Sequence, residues 1–133
     1  MTAPILSLDA AAGVAARWRG EGRKIAVVSG SFDILHGGHC NLLTEARASG
    51  GALIVLLNSD ASVRAYKGPG RPINNAQARA AAVAALPGVD AVLLFDEIVP
   101  LRIIATLKPE IVANGPDYGA DCIERTLDPE GPS

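Results

Sequence analysis

The chain carries two histidines, His36 and His39, and both fall in one stretch, Gly30-Ser31-Phe32-Asp33-Ile34-Leu35-His36-Gly37-Gly38-His39. Imidazoles three residues apart can converge on one ligand, and the two glycines between them let the backbone approach it closely. An imidazole N–H can donate to a phosphate oxygen. A helix starting here would add free amide donors and a positive partial charge, so the stretch is a natural seat for phosphate. Histidines at i and i+3 can equally share a metal. Zinc would then need a third and a fourth ligand, for which Cys40, Asp33 or a distant acid are the candidates.

These residues need elements to hold them. Lys24 to Ser29 (KIAVVS) is a compact run with three β-branched residues and reads as a buried strand. Gly30 to Gly37 reads as a turn, and Gly38 to Ala48, with Leu42, Leu43 and Ala46, as a helix ended by Gly50 and Gly51. Ala52 to Asn58 (ALIVLLN) is a second strand, Ala91 to Phe95 (AVLLF) a third and Ile111 to Ala113 (IVA) a fourth. Between them, Asp60 to Ala65 reads as a short helical turn and Lys67 to Pro72 (KGPGRP) as a loop. Asn74 is placed to cap the next helix, with Gln77 reaching back, and that helix runs to about Leu86. Pro100 to Leu107 reads as a helix with proline in its first turn. Ahead of all these, Leu6, Ala10, Val14 and Trp18 mark a leading helix over Leu6 to Arg19, stopped by Gly20 and Gly22.

The rhythm of strand and helix predicts an α/β fold, a parallel sheet with right-handed crossovers and helices on both faces. In such a sheet ligands bind beyond the carboxyl ends of the strands, which is where the His36 and His39 turn falls. The organisation expected is a leading helix over 1–23, one domain over 24–118 and a short tail over 119–133.

Composition narrows the function classes. The 133 residues suit one domain, on a prior of roughly 100–200 residues each. A hydrophobic fraction of 49% with only 4% aromatic residues provides an aliphatic core and excludes a disordered chain. Lys plus Arg is 12 against 14 Asp plus Glu, and a net charge of −2 argues against a nucleic-acid partner. The longest apolar run, Ala80 to Leu86, is far below the ~18 residues of a membrane span. The N-terminus lacks the basic region and apolar core of a signal peptide. Cys40 and Cys122, without CxxC spacing, make no disulfide framework, so the expected setting is the reducing cytoplasm, with no membrane partner.

Gly30 to His39 (GSFDILHGGH) resembles the nucleotide-binding signature of the cytidylyltransferase-like nucleotidyltransferases, whose hallmark is His-x-Gly-His after the first strand. Leu56 to Arg79 (LLNSDASVRAYKGPGRPINNAQAR) closely resembles the heptose-1-phosphate adenylyltransferases. Ile111 to Tyr118 (IVANGPDY) stands where that family has a strand followed by a Gly-x-Asp-aromatic segment. The resemblance covers roughly Lys24 to Tyr118, and the joint order of the blocks is more specific than His-x-Gly-His alone. It implies a Rossmann-like nucleotidyltransferase fold and transfer of AMP from ATP to a sugar 1-phosphate, heptose 1-phosphate-like, with release of pyrophosphate. In that reaction an oxygen of the substrate phosphate, already anionic, attacks the α-phosphorus in line. No protein base is required, and catalysis rests on positioning and charge stabilisation, a task for cationic donors and Mg²⁺.

Carried over residue by residue, the resemblance makes His36 and His39 donors to the triphosphate and Lys67 a lysine that approaches the phosphates. Gly30, Ser31, Phe32, Asp33 and Gly38 belong to the nucleotide-binding turn, with Asp33 either helping to place Mg²⁺ or fixing the turn. Asn114, Gly115 and Asp117 follow the fourth strand, where the family reads base and ribose. Arg71 and Arg79 are expected to hold substrate or the β/γ-phosphates, and Cys40 to be packing. The implied partners are a nucleoside triphosphate, a phosphorylated small molecule and a second copy of the chain, since a small sheet gains from dimerisation. The pattern departs from the family at its end. Members continue to another strand and a Ser/Thr-rich helix start that grips the triphosphate, and here the chain reaches Pro132-Ser133 without either. Two alternatives stay open, a cytidylyltransferase acting on a polyol phosphate and a catalytically weak nucleotide-binding module.

Overall fold

Strands that are apolar on both faces must be covered from both sides, and the elements are distributed accordingly. A computed structural model describes residues 2–30, 32, 48, 51–68, 70, 74–86, 88–97, 100–114 and 123–125. In chain order the elements are β1 (Ile5–Leu6), α1 (Leu8–Gly20), β2 (Lys24–Gly30), β3 (Gly51–Asn58), α2 (Asp60–Lys67), α3 (Ala76–Ala84), β4 (Ala91–Phe95), α4 (Leu101–Leu107), β5 (Ile111–Asn114) and β6 (Ile123–Arg125). They build one sheet in the order β1-β4-β3-β2-β5-β6. Neighbours from β1 to β5 run parallel, and β6 lies antiparallel to β5.

Side-chain alternation along the strands splits the interior into two cores. Ala26, Val28, Leu53, Val55, Leu57 and Val92 pack with Ala80, Val83 and Ala84 of α3 on one face. Ile25, Val27, Ile54, Leu56 and Leu93 pack on the other face with Ala11, Ala15 and Trp18 of α1 and with Ile103 and Leu107 of α4. The expected α/β class, parallel sheet and two covered faces are therefore observed.

Several local expectations are corrected. The leading helix begins at Leu8, because Ser7 caps it by accepting from the Ala10 amide at 3.2 Å, and Ile5–Leu6 is instead a strand beside β4. The short turn expected at Asp60 to Ala65 extends to Lys67, where Gly68 at φ +102° ends it, so Lys67 closes a helix rather than opening a loop. Asn75, not Asn74, caps α3, accepting from Ala78 N at 2.8 Å, and α3 stops at Ala84. Residues 123–125, in the stretch expected as a tail, form β6, so a strand does follow β5. The helix expected over Gly38 to Ala48 lies outside the described residues except for Ala48. Among the described residues no helix is long and apolar enough to cross a membrane.

Candidate functional site

The strand order carries a reversal at β2. The chain leaves β2 for β3 and then β4 on one side, and later returns to place β5 on the other. Crevices open beyond the carboxyl ends of strands at such a reversal, because the connections diverge there. Ser29 pairs with Asn114 and Gly30 with Leu57, so the ends of β5, β2 and β3 lie side by side. The histidine-bearing stretch after Gly30 and the Gly115 to Asp117 stretch after Asn114 thus leave the sheet from adjacent strands.

Phe32 shows how the turn is rooted. Its side chain is only 2% exposed and belongs to the same core cluster as Val28 and Leu57, so the ring is core while the residue keeps its place in the turn after β2. Its backbone is left-handed, at φ +49°. A bulky residue adopts that conformation only where its surroundings hold it there, and the buried ring does this one position after Ser31.

A polar network stands at the end of β3. Asn58 and Ser62 are buried, at 0% and 2% exposure. The Asn58 amide donates to Ser62 Oγ at 2.8 Å, and Ser62 Oγ donates to the Glu97 carbonyl at 2.8 Å, which ties α2 to the chain leaving β4. Ser59 caps α2 by accepting from Ser62 N at 3.2 Å, and its own amide donates to the Phe95 carbonyl at 2.8 Å. Arg79, 1% exposed, reaches the same place from α3. Each of its three side-chain nitrogens donates to a protein oxygen: Nε to the Asn74 carbonyl at 2.9 Å, Nη1 to the Asn58 carbonyl at 2.7 Å and Nη2 to Asp60 Oδ1 at 2.8 Å. The sequence leads one to expect Arg79 on substrate or phosphate, and the structure gives it a different environment. Asn58, Asp60, Ser62 and Glu97 are residues that sequence reasoning misses. The available signal is a lone polar residue closing the apolar run ALIVLL, followed by the cap pair Ser59-Asp60.

The remaining expected residues divide simply. Gly30 is the buried last residue of β2, Lys67 the last residue of α2 and Asn114 the last of β5. Ser31, Asp33, His36, Gly38, His39, Cys40, Arg71, Gly115 and Asp117, with the side chains of Lys67 and Asn114, lie outside the described residues. Among the described residues no three His, Cys, Asp or Glu side chains come together as a metal site.

Comparison with known proteins agrees with the fold. The family model described as cytidylyltransferase-like matches residues 27–130. The bifunctional protein HldE of Hyphomonas neptunium is 48% identical over 128 residues, which is 92% of this chain and 26% of that protein. The bifunctional protein HldE of Rhodopseudomonas palustris is 53% identical over 103 residues, 77% of this chain and 21% of that protein. The chain thus spans about a quarter of the length of the curated relatives it matches. The crystal structure of the lipopolysaccharide core biosynthesis protein from Thermoplasma volcanium superposes with a TM-score of 0.61 at 32% identity, covering 68% of this chain and 73% of that one. A family match that begins inside β2, takes in the histidine-bearing stretch and runs past β6 covers the whole reversal point, and the chain belongs to the cytidylyltransferase-like family.

Proposed function

We propose that the chain is a nucleotidyltransferase that moves AMP from ATP to a sugar 1-phosphate of the heptose 1-phosphate kind. The observation that carries this reading is the pairing of Ser29 with Asn114, which sends a His-x-Gly-His stretch and an Asn-Gly-x-Asp stretch out from neighbouring strands at the sheet's reversal point. Family membership supports the reaction class. The resemblance of Leu56 to Arg79 to the adenylyltransferases supports the base and the sugar. Likeness to a lipopolysaccharide core biosynthesis protein, that of Thermoplasma volcanium, is in keeping with a carbohydrate substrate.

In this reading a phosphate oxygen of the sugar 1-phosphate attacks the α-phosphorus of ATP. The new P–O bond forms as the bond from the α-phosphorus to the bridging oxygen of the β-phosphate breaks, and pyrophosphate leaves with that bridging oxygen. His36 and His39 donate to the phosphate oxygens as charge develops, and Lys67 compensates the negative charge of the triphosphate. Gly30, Ser31 and Gly38 let the turn approach the nucleotide closely, and Asn114, Gly115 and Asp117 face base and ribose. Mg²⁺, when bound with the triphosphate, supplies further charge neutralisation. The reading places the chain in the cytoplasm as a homodimer, and sedimentation measures the subunit number.

The test is pyrophosphate release with Mg²⁺, comparing ATP with CTP across a panel of sugar and polyol phosphates. Release with ATP and a heptose 1-phosphate, abolished by EDTA, is the expected outcome. Release with CTP and a polyol phosphate would transfer the assignment to the cytidylyltransferases. Nucleotide binding without release from any pair would make the chain a binding module.

A further inference from the structure

We propose that Arg79 is a positioning residue that sets the Lys67-bearing segment for triphosphate binding and does not itself touch substrate. The proposal rests on the reading of Lys67 above and goes beyond it by assigning what places that lysine. Arg79 fastens both ends of one segment. At the near end its Nη1 holds the carbonyl of Asn58, the last residue of β3, and its Nη2 holds the carboxylate of Asp60, the first residue of α2. At the far end its Nε holds the carbonyl of Asn74, immediately ahead of the Asn75 cap of α3. Between Asp60 and Asn74 run α2 and the residues after it, with Lys67 at the junction and Arg71 beyond. Arg79 is itself seated in α3, whose neighbouring Ala80 and Val83 belong to the core. The two ends of the segment are therefore referred to the sheet and to a buried helix through one guanidinium.

The chemistry of the side chain suits this task. A guanidinium presents several donors in a rigid planar fork, so three acceptors fix its orientation, whereas a lysine ammonium is a point charge on a flexible stem. The Arg79 side chain is 0% exposed and that of Asp60 is 35% exposed, so the buried charge is answered by a carboxylate that still meets solvent. A buried cation disfavours any arrangement that removes its partner, and this makes the fastening selective for one geometry. Anchoring the segment in advance also reduces the ordering that triphosphate binding must impose on Lys67.

The experiment measures ATP affinity with Mg²⁺ by calorimetry on the full chain, together with amide hydrogen exchange. The variants are Lys67→Ala, Arg79→Lys, Asp60→Asn and the double variant Lys67→Ala/Arg79→Lys. Arg79→Lys keeps the charge and loses the fork. It and Lys67→Ala are each expected to weaken ATP about tenfold, the order of one lost charge-assisted contact. The double variant is expected within about twofold of the weaker single variant, because one residue acts through the other. Asp60→Asn is expected to weaken ATP in the same direction, and in both Arg79→Lys and Asp60→Asn the amides of α2 exchange faster while those of β2 and β3 keep their protection. Losses that multiply in the double variant would overturn the proposal, as would unchanged ATP affinity in Arg79→Lys. Should Arg79→Lys fail to fold, Asp60→Asn paired with Lys67→Ala runs the same cycle under the same criteria. If the wild-type chain binds no triphosphate, the functional reading and this proposal both fall; if it binds ATP and the losses multiply, only this proposal falls.

Discussion

An imidazole that donates to a phosphoryl oxygen as charge builds on it favours the transition state over the ground state. His39→Ala is therefore expected to lower pyrophosphate release by about 10²–10³-fold, the range for removing one such donor, while leaving the denaturant midpoint unchanged. Wild-type turnover in the purified variant would move the site away from this turn. Phe32 calls for the opposite readout. Its ring is buried in the core, so Phe32→Ala is expected to cost about 3–5 kcal/mol in urea unfolding, as for other large core truncations. At this scale the sequence is informative about type and poor about direction. Gly-rich spacing and paired histidines mark the turn, but nothing in the letters GSFDILHGGH says that Phe32 turns inward at positive φ. Arg79 is the same case. A cation in a phosphate-binding context reads as a ligand, and only the packing of α3 against β3 shows each of its three side-chain nitrogens donating to a protein oxygen, on Asn58, Asp60 and Asn74.

At the scale of elements, the amino ends of the central strands are held by carboxylates from the opposite side of the sheet to the candidate site. Asp90 Oδ2 accepts from the Leu53 amide at 2.8 Å and lies 3.4 Å from Arg23 Nη2. Glu110 Oε1 accepts from the Ile25 amide at 2.7 Å, and its Oε2 lies 3.5 Å from Arg19 Nε. Arg19 Nη2 in turn donates to the carbonyls of Leu107 and Lys108, which joins α1 to the end of α4. Asp90→Ala leaves the amide of the fully buried Leu53 without this acceptor, which is expected to cost about 1–3 kcal/mol in urea unfolding. Pyrophosphate release per folded molecule is expected to stay at the wild-type level, since the change lies at the far end of the strands. A loss of turnover with unchanged stability would show that the two ends of the sheet are coupled. The long strands are legible because a short apolar run such as ALIVLL, bounded by Gly50-Gly51 and Asn58-Ser59, suits a sheet covered on both faces. The edges are not. Two residues of β1 and three of β6 carry no periodicity of their own, and pairing with β4 and β5 alone makes them strands. The adjacent Asn74 and Asn75 are equally good caps by composition, and the Arg79 bond to the Asn74 carbonyl accompanies the choice of Asn75.

For the whole molecule, the decisive feature is that one sheet must be sealed on two faces. Among the described residues, Ala80, Val83 and Ala84 of α3 cover one side, and Ala11, Ala15 and Trp18 of α1 with Ile103 and Leu107 of α4 cover the other. Strand and helix alternation predicts both faces, but the reversal at β2 follows from no single segment. It depends on which edge β5 joins, and the sequence conveys it only through the family resemblance. The same reasoning bears on the expected boundary between a leading helix over 1–23 and the domain after it. In the structure β1 completes the edge beside β4, and α1 covers Ile25, Val27 and Ile54, all 0% exposed. Removing residues 1–23 would bare that face, and burial of even one such side chain is worth about 1.5–3 kcal/mol against a total stability of about 5–15 kcal/mol. The chain beginning at Lys24 is therefore expected to lose its cooperative urea transition, followed by circular dichroism, and with it all ATP binding. A sharp transition and retained binding in that shortened chain would mean that β1 and α1 are an appendage, and that the remaining elements suffice to close the sheet.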